Sequence, residues 1–212
     1  MRSDKPEKAA SEERNWGTLP PLPQSFYLQP TVEVARGLIG KALIHRERSG
    51  LTAGIIVEAE AYLVGDPGSH AWRRRTARNE PMYGAPGTSY VYQIYGMHFC
   101  LNVVCQAEGV PEAVLIRALE PEAGLELMAR RRAGRRGKEL CSGPAKLTQA
   151  LGIRLRHSRQ DLTRPPLWIA DAGLTREVAA GRRIGLAPGR GAEAPLRFAV
   201  PSSPYLSRRL PG

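Results

Sequence analysis

The stretch IIVEAEAY, residues 55–62, constrains the fold more than any other segment of this 212-residue chain. Its apolar and polar residues alternate with a period of two, which is the signature of a β-strand. On a strand, Val57, Ala59 and Ala61 share one face, and Glu58, Glu60 and Tyr62 share the other. The pattern alone fits an antiparallel strand with one face in the core and one in water, where a glutamate is ordinary. A strand whose acidic and aromatic face lines a site needs support from elsewhere in the chain. The residues of this segment leave both readings open.

Further strands are expected at about 41–46, 88–94, 98–105 and 112–119, with the alternating segment extending over about 52–62. Shorter ones are expected at 166–170, 183–187 and 196–200. Thr31 is placed to cap a short helix ending near Gly40, and Ser142 to cap another running through Leu151, with Pro144 in its first turn. A third helix is expected over 121–133, where Leu125, Leu127 and Met128 have helical spacing, running into the charged stretch ARRRAGRRGK. No internal repeat or break in composition divides residues 21–212, so one α+β domain is expected there. Residues 1–20 are charged and poor in large apolar groups, and they read as a disordered arm.

The net charge is +11 and the pI about 10.1, which points to an anionic partner, most often nucleic acid. Cys100, Cys105 and Cys141 show no disulfide or zinc spacing and read as reduced, buried thiols. His98 lies near two of them, but Cys100 and Cys105 face opposite ways along a strand, so no metal site is expected. No apolar run reaches the length of a transmembrane helix and the first residues lack the apolar stretch of a signal peptide, so a soluble, cytosolic protein is expected.

Tyr90, Tyr92 and Ile94 lie on one strand face, and Tyr95-Gly96-Met97-His98 then interrupts the alternation as the tip of a hairpin. Tyrosines on strands commonly serve packing. Large side chains at a tip are harder to explain by packing, and in a basic protein they can wedge between stacked bases. The long irregular stretch between the two halves carries His70 and Arg73, Arg74, Arg75 and Arg78, arginines suited to phosphate contacts. Arg117, near the end of the apolar segment EAVLIRALE, needs an acidic partner if buried, and Glu58 or Glu60 could supply it in a structural ion pair or a site.

VEAEAY with a histidine eight residues after its tyrosine, ARNEPMYGAPGTSYVYQIYGMHFCLNVV, AVLIRALEP, ELCSGPAKLTQALGI, RIGLA and PLRFAVPSSPYLS follow in unbroken order over about residues 25–207. This series strongly resembles the alkyladenine (3-methyladenine) DNA glycosylase family. The resemblance implies a single domain with a curved antiparallel β-sheet core, surrounding helices and a protruding hairpin that inserts into DNA. It implies a monofunctional enzyme of base excision repair that flips alkylated, and in some members deaminated, purines out of duplex DNA and hydrolyses the N-glycosidic bond, leaving an abasic site. No cofactor or metal is implied, and a monomer is expected because one flipped nucleotide needs one pocket. A bacterial protein of this kind would work at the nucleoid, a eukaryotic one in the nucleus.

By position, Glu60 resembles the general base that activates water. Arg117 resembles the residue that helps hold that water, with the backbone carbonyl of Ile184 as a further contact. Tyr62 and His70 on one side and Tyr92 on the other resemble the walls around the flipped base. Asn102 resembles the residue that screens out guanine, and Tyr95, with Met97 beside it, the wedge that fills the gap in the DNA. His98 stands where relatives often carry tyrosine. Glu58 has no catalytic role by this resemblance and is expected to serve hydrogen bonding or solvent. Two rival readings come from other classes: a non-catalytic binder of distorted DNA or structured RNA, and a metal-dependent nuclease using Glu58, Glu60 and Asp66.

Overall fold

The computed structural model describes residues 14–210. Its centre is a curled antiparallel sheet. The strands are β1 (Ala42–Glu47), β2 (Gly50–Tyr62), β3 (Ser89–Ile94), β4 (His98–Cys105), β5 (Glu112–Ala123), β6 (Leu167–Ala170), β7 (Ala179–Gly181) and β8 (Arg197–Ala199). They are ordered β3-β4-β5-β2-β1-β6, with β8 bridging β2 and β7. The 13-residue β2 is the spine: one edge pairs with β5, and the other pairs first with β1 and then, over Glu58 to Glu60, with β8.

Alternation along these strands sorts the residues as their sequence demands. Val57, Ala59, Ala61, Leu101, Val103, Val114 and Ile116 belong to the main core. The helices α1 (Gln24–Tyr27), α2 (Thr31–Gly37), α3 (Leu125–Arg131) and α4 (Pro144–Leu151) surround the sheet. Val34 and Ala35 of α2, and Leu147, Ala150 and Leu151 of α4, join the same core. Each fully buried leucine or valine contributes roughly 1.5–3 kcal/mol of transfer free energy.

The opposite face, expected to be either wet or a site, is not wet. Glu58 and Glu60 are both 0% exposed. Register shifts interrupt the β2–β5 ladder on either side of Glu58, which pairs with Ala118 and leaves Arg117 without a partner in the ladder. Such bulges bend a strand and re-aim its side chains.

Several local expectations change. Thr31 is the first helical residue, behind Pro30, and makes no cap; its hydroxyl accepts a bond from Gln106 instead. Ser142 likewise yields the cap position to Gly143. The helix expected from 121 starts at Leu125 because β5 runs on through Ala123. Gly124 makes the turn with φ 72°, where a Cβ would collide with the Leu51 carbonyl. No strand forms at 183–187; the edge strand there is β7, earlier in the chain. Of the expected N-terminal arm, residues 1–13 lie outside the described residues, while Trp16 is buried in a second cluster with Ile44, Ile55 and Trp168. The three cysteines are buried and free.

Candidate active site

Four strands bring the site face together. Glu60 pairs with Leu115, Leu115 with Asn102, and Asn102 with Tyr90, so these four residues form one row across β2, β5, β4 and β3. Directly paired residues project from the same side of a sheet, and two-residue steps stay on it. Glu58, Tyr62, Arg117, Cys100 and Tyr92 therefore belong to the same face as the row. That register unites five of the residues singled out in the sequence: Glu60, Tyr62, Arg117, Asn102 and Tyr92.

Glu60 is held at both of its oxygens. Its Oε1 accepts the backbone N–H of Ile184 at 2.8 Å, and its Oε2 accepts the Tyr62 hydroxyl at 2.9 Å and Arg117 Nη1 at 3.2 Å. Burial pushes the Glu60 pKa above the ordinary carboxylate range, while Arg117, the Ile184 amide and the Tyr62 hydroxyl pull the other way. Ile184, expected to contribute through its carbonyl, meets Glu60 through its N–H.

Arg117 is shared. Its Nε donates to Glu58 Oε1 at 3.0 Å, and its Nη2 to Ser207 Oγ at 3.3 Å. Burial works against its charge, but Glu60 and Glu58 together more than offset that and raise its pKa. Glu58, expected to serve hydrogen bonding or solvent, is a buried hydrogen-bonding hub: it also accepts Arg197 Nε at 2.8 Å, the Ser207 N–H at 2.6 Å and the Ser207 hydroxyl at 2.7 Å.

Aromatic groups flank this pair. The Tyr62 ring has the Arg183 guanidinium 4.7 Å from its centroid, a cation–π contact. His70 Nδ1 lies 2.8 Å from Tyr90 Oη, and the His70 ring meets Tyr92 edge-on with centroids 4.5 Å apart. Burial, helped by Arg78, lowers the His70 pKa, so the ring is neutral at pH 7. A base stacked between His70 and Tyr92 requires these rings to part. Asn102 donates Nδ2 to the Tyr90 carbonyl at 3.0 Å, which fixes its amide.

Tyr95, Gly96 and Met97 form the hairpin tip, with Ile94 paired to His98 below it. Tyr95 is 89% exposed and Met97 71% exposed. Tyr95 also holds a φ of 48°, an unfavourable conformation for an aromatic residue. His98 is half-buried beneath them.

The four arginines of the long loop divide. Arg75 is occupied, forming a two-pronged ion pair with Glu80 at 2.7 and 2.5 Å and lying 4.6 Å from the Tyr83 ring centroid. Arg78 lies over Tyr92, 5.8 Å from its centroid. Arg73 and Arg74 have no acidic partner among the described residues. With Trp72, His70, Ser69 and Arg190 they line a cavity of about 330 Å³.

The donor sets do not suit the nuclease reading. Asp66 spends both oxygens on Arg183, and Glu58 spends both on Arg117, Arg197 and Ser207. Elsewhere His45, Glu47 and His157 each bring a ligand atom within 4.8 Å of the others. Glu47 is already paired with Arg131 and Arg156, whose charges oppose a cation there.

Sequence reasoning missed Arg183, Arg197 and Ser207. A lone guanidinium beside apolar residues, the feature that singles out Arg117, recurs at Arg197 in LRFAV and at Arg183 in RRIGL. Ser207 carries no such signal.

Known proteins are similar to this chain over most of its length. The family model described as methylpurine-DNA glycosylase matches residues 25–204. A Methanoculleus marisnigri protein is 47% identical over 193 residues, covering 89% of this chain and 99% of its own. A Rhodopseudomonas palustris protein is 46% identical over 189 residues, covering 89% and 92% respectively. A Bacillus licheniformis protein is 44% identical over 191 residues, covering 89% and 97%. All three are provisionally named 3-methyladenine DNA glycosylase.

Proposed function

Because this chain belongs to the methylpurine-DNA glycosylase family and is a DNA glycosylase, we propose that it flips an alkylated purine nucleotide out of duplex DNA and hydrolyses the N-glycosidic bond to leave an abasic site. The observation that carries this reading is Glu60: a fully buried carboxylate held at both oxygens on one sheet face with Tyr62, Tyr92, Asn102 and Arg117.

In this reading, Glu60 takes a proton from a water as that water attacks the sugar C1′. Departure of the purine develops positive charge on the sugar, which the same carboxylate stabilises across a short, water-poor gap. The Arg117 charge keeps Glu60 ionised and helps hold the water, and the Ile184 amide fixes the carboxylate's orientation. Tyr62, His70 and Tyr92 stack on the flipped base, and their electron-rich faces favour cationic methylpurines such as 3-methyladenine. The fixed Asn102 amide screens the exocyclic group that separates guanine from adenine-like bases. Deaminated purines, which share that adenine-like shape, are included in the proposed range.

Tyr95 and Met97, exposed at the hairpin tip, fill the space left by the flipped nucleotide from the minor groove. Arg73 and Arg74 face backbone phosphates. The protein acts as a monomer. Among the described residues no helix is long and apolar enough to cross a membrane.

The test is Glu60→Gln on duplex DNA methylated with dimethyl sulfate. The variant is expected to bind the lesion duplex and release no methylpurine, whereas the unmodified protein yields alkali-labile abasic sites. Normal release by Glu60→Gln removes Glu60 as the base. Binding without product in the unmodified protein, across several alkylpurines, favours a non-catalytic binder.

A further inference from the structure

We infer that Glu58, held in place by Ser207, is a positioning residue for Arg117, and that the segment after β8 thereby sets the catalytic pair. This rests on the reading of Glu60 and Arg117 as the hydrolytic pair. Glu58 is 0% exposed and its two oxygens accept four donors: Arg117 Nε, Arg197 Nε, the Ser207 amide and the Ser207 hydroxyl. That saturation leaves the carboxylate no other orientation. Arg117 is then fixed at three points, Nε on Glu58, Nη2 on Ser207 and Nη1 on Glu60.

The charges explain why two carboxylates are needed. Glu60 alone would attract Arg117 but could not decide its rotation, because a guanidinium can meet a single carboxylate through several edges. Glu58 takes the Nε edge, so that only Nη1 is turned to Glu60. Arg197 supplies the second cation that balances the two buried acids. Its own position comes from β8, where it pairs with Glu60, and from a bond to the Arg208 carbonyl just beyond Ser207. The chain reaches Ser207 through Tyr205 and Leu206, which pack against the main core. The segment after β8 thus holds the geometry of the water-activating pair.

The experiment is single-turnover excision from dimethyl-sulfate-methylated duplex, comparing Ser207→Ala, Ser207→Thr and Glu58→Gln with Glu60→Gln. Misplacement of a catalytic group by about 1 Å costs up to about 100-fold in rate. Ser207→Ala keeps every charge and the backbone amide, and its rate constant is expected to fall about 10-fold at full reaction amplitude and unchanged lesion affinity, with Ser207→Thr restoring it. Glu58→Gln is expected to fall about 100-fold while its rate reaches a plateau at lower pH, because a negative charge beside Glu60 is gone. A purely structural role would instead lower the amplitude, the fraction of folded enzyme, at a normal rate constant. A wild-type rate constant in Ser207→Ala, or a loss confined to amplitude, overturns the inference whether or not Glu58→Gln folds. Wild-type excision by Glu60→Gln, in contrast, overturns the underlying reading of the pair.

Discussion

Glu58 and Glu60, two residues apart on one strand, share a single guanidinium: Arg117 donates Nε to the first at 3.0 Å and Nη1 to the second at 3.2 Å. The Glu58 charge adds to burial in raising the affinity of Glu60 for protons, and the buried Arg117 guanidinium opposes both. The charge on Glu60 is therefore conditional on its two neighbours.

The pH dependence of excision follows from this. With Glu60 as the proposed general base, which acts only when deprotonated, the rate is expected to rise with pH through the Glu60 pKa, which burial raises above the ordinary carboxylate range. Arg117→Met removes the strongest force opposing burial. The acid limb of the single-turnover profile is expected to move to higher pH, with a lower plateau. An acid limb that stays in place in Arg117→Met shows that some other group sets it.

The loop arginines make different predictions despite their adjacency. Arg73 and Arg74 are free to meet phosphate, while Arg75 is held by Glu80. In the proposed complex each of Arg73→Ala and Arg74→Ala should reduce the slope of log K against log salt by about 0.9. Arg75→Ala should leave it nearly unchanged. Binding titrations between low and moderate salt distinguish the three.

Tyr95 separates stability from activity. It is 89% exposed and its φ of 48° suits glycine better than tyrosine. Tyr95→Gly is expected to stay within about 1 kcal/mol of the parent stability, since relief of the left-handed conformation opposes the added freedom of the unfolded chain. Lesion-specific binding and excision should nonetheless drop at least about 10-fold, as expected for loss of a base-step wedge. Thermal melts and excision rates measured on one preparation check both halves.

Acid sensitivity has a source away from the site. His45 and His157 are buried against each other, with ring centroids 4.8 Å apart, and burial lowers both pKa values, that of His157 to about 4. Both are neutral in the fold at pH 7. Unfolded histidine takes up a proton near pH 6.5, so folding stability is full above that value and falls as pH drops toward about 4. Glu47 attracts a proton to this pair while Arg131, Arg154 and Arg156 repel it. His157→Gln should flatten that fall in urea unfolding measured between pH 7 and 4.5, and an equally steep fall in the variant would locate the sensitivity elsewhere.

The sequence by itself determined the sheet. The period of two in IIVEAEAY fixes which residues of β2 face the core, because a one-residue slip would turn its apolar side chains to the other face. The same alternation placed Glu60 beside Tyr62, and Tyr90 beside Tyr92. The solitary charge of Arg117 in an apolar strand announced that a partner existed.

Which partner that is, only the tertiary structure decided. Arg117 meets both glutamates because bulges in β2 and β5 bring their side chains to it, and bulges leave no mark in an alternating pattern. The RIGLA segment looks like a strand, yet its Ile184 amide goes to Glu60 and Arg183 is buried against Asp66 and Tyr62, so its backbone is spent on the site rather than on a ladder. Ser207 reaches Glu58 from 149 positions away. Periodicity reports the neighbours along a strand, whereas a buried charge is satisfied by whatever donors the folded chain delivers, and those distances exist only once the sheet has closed around them.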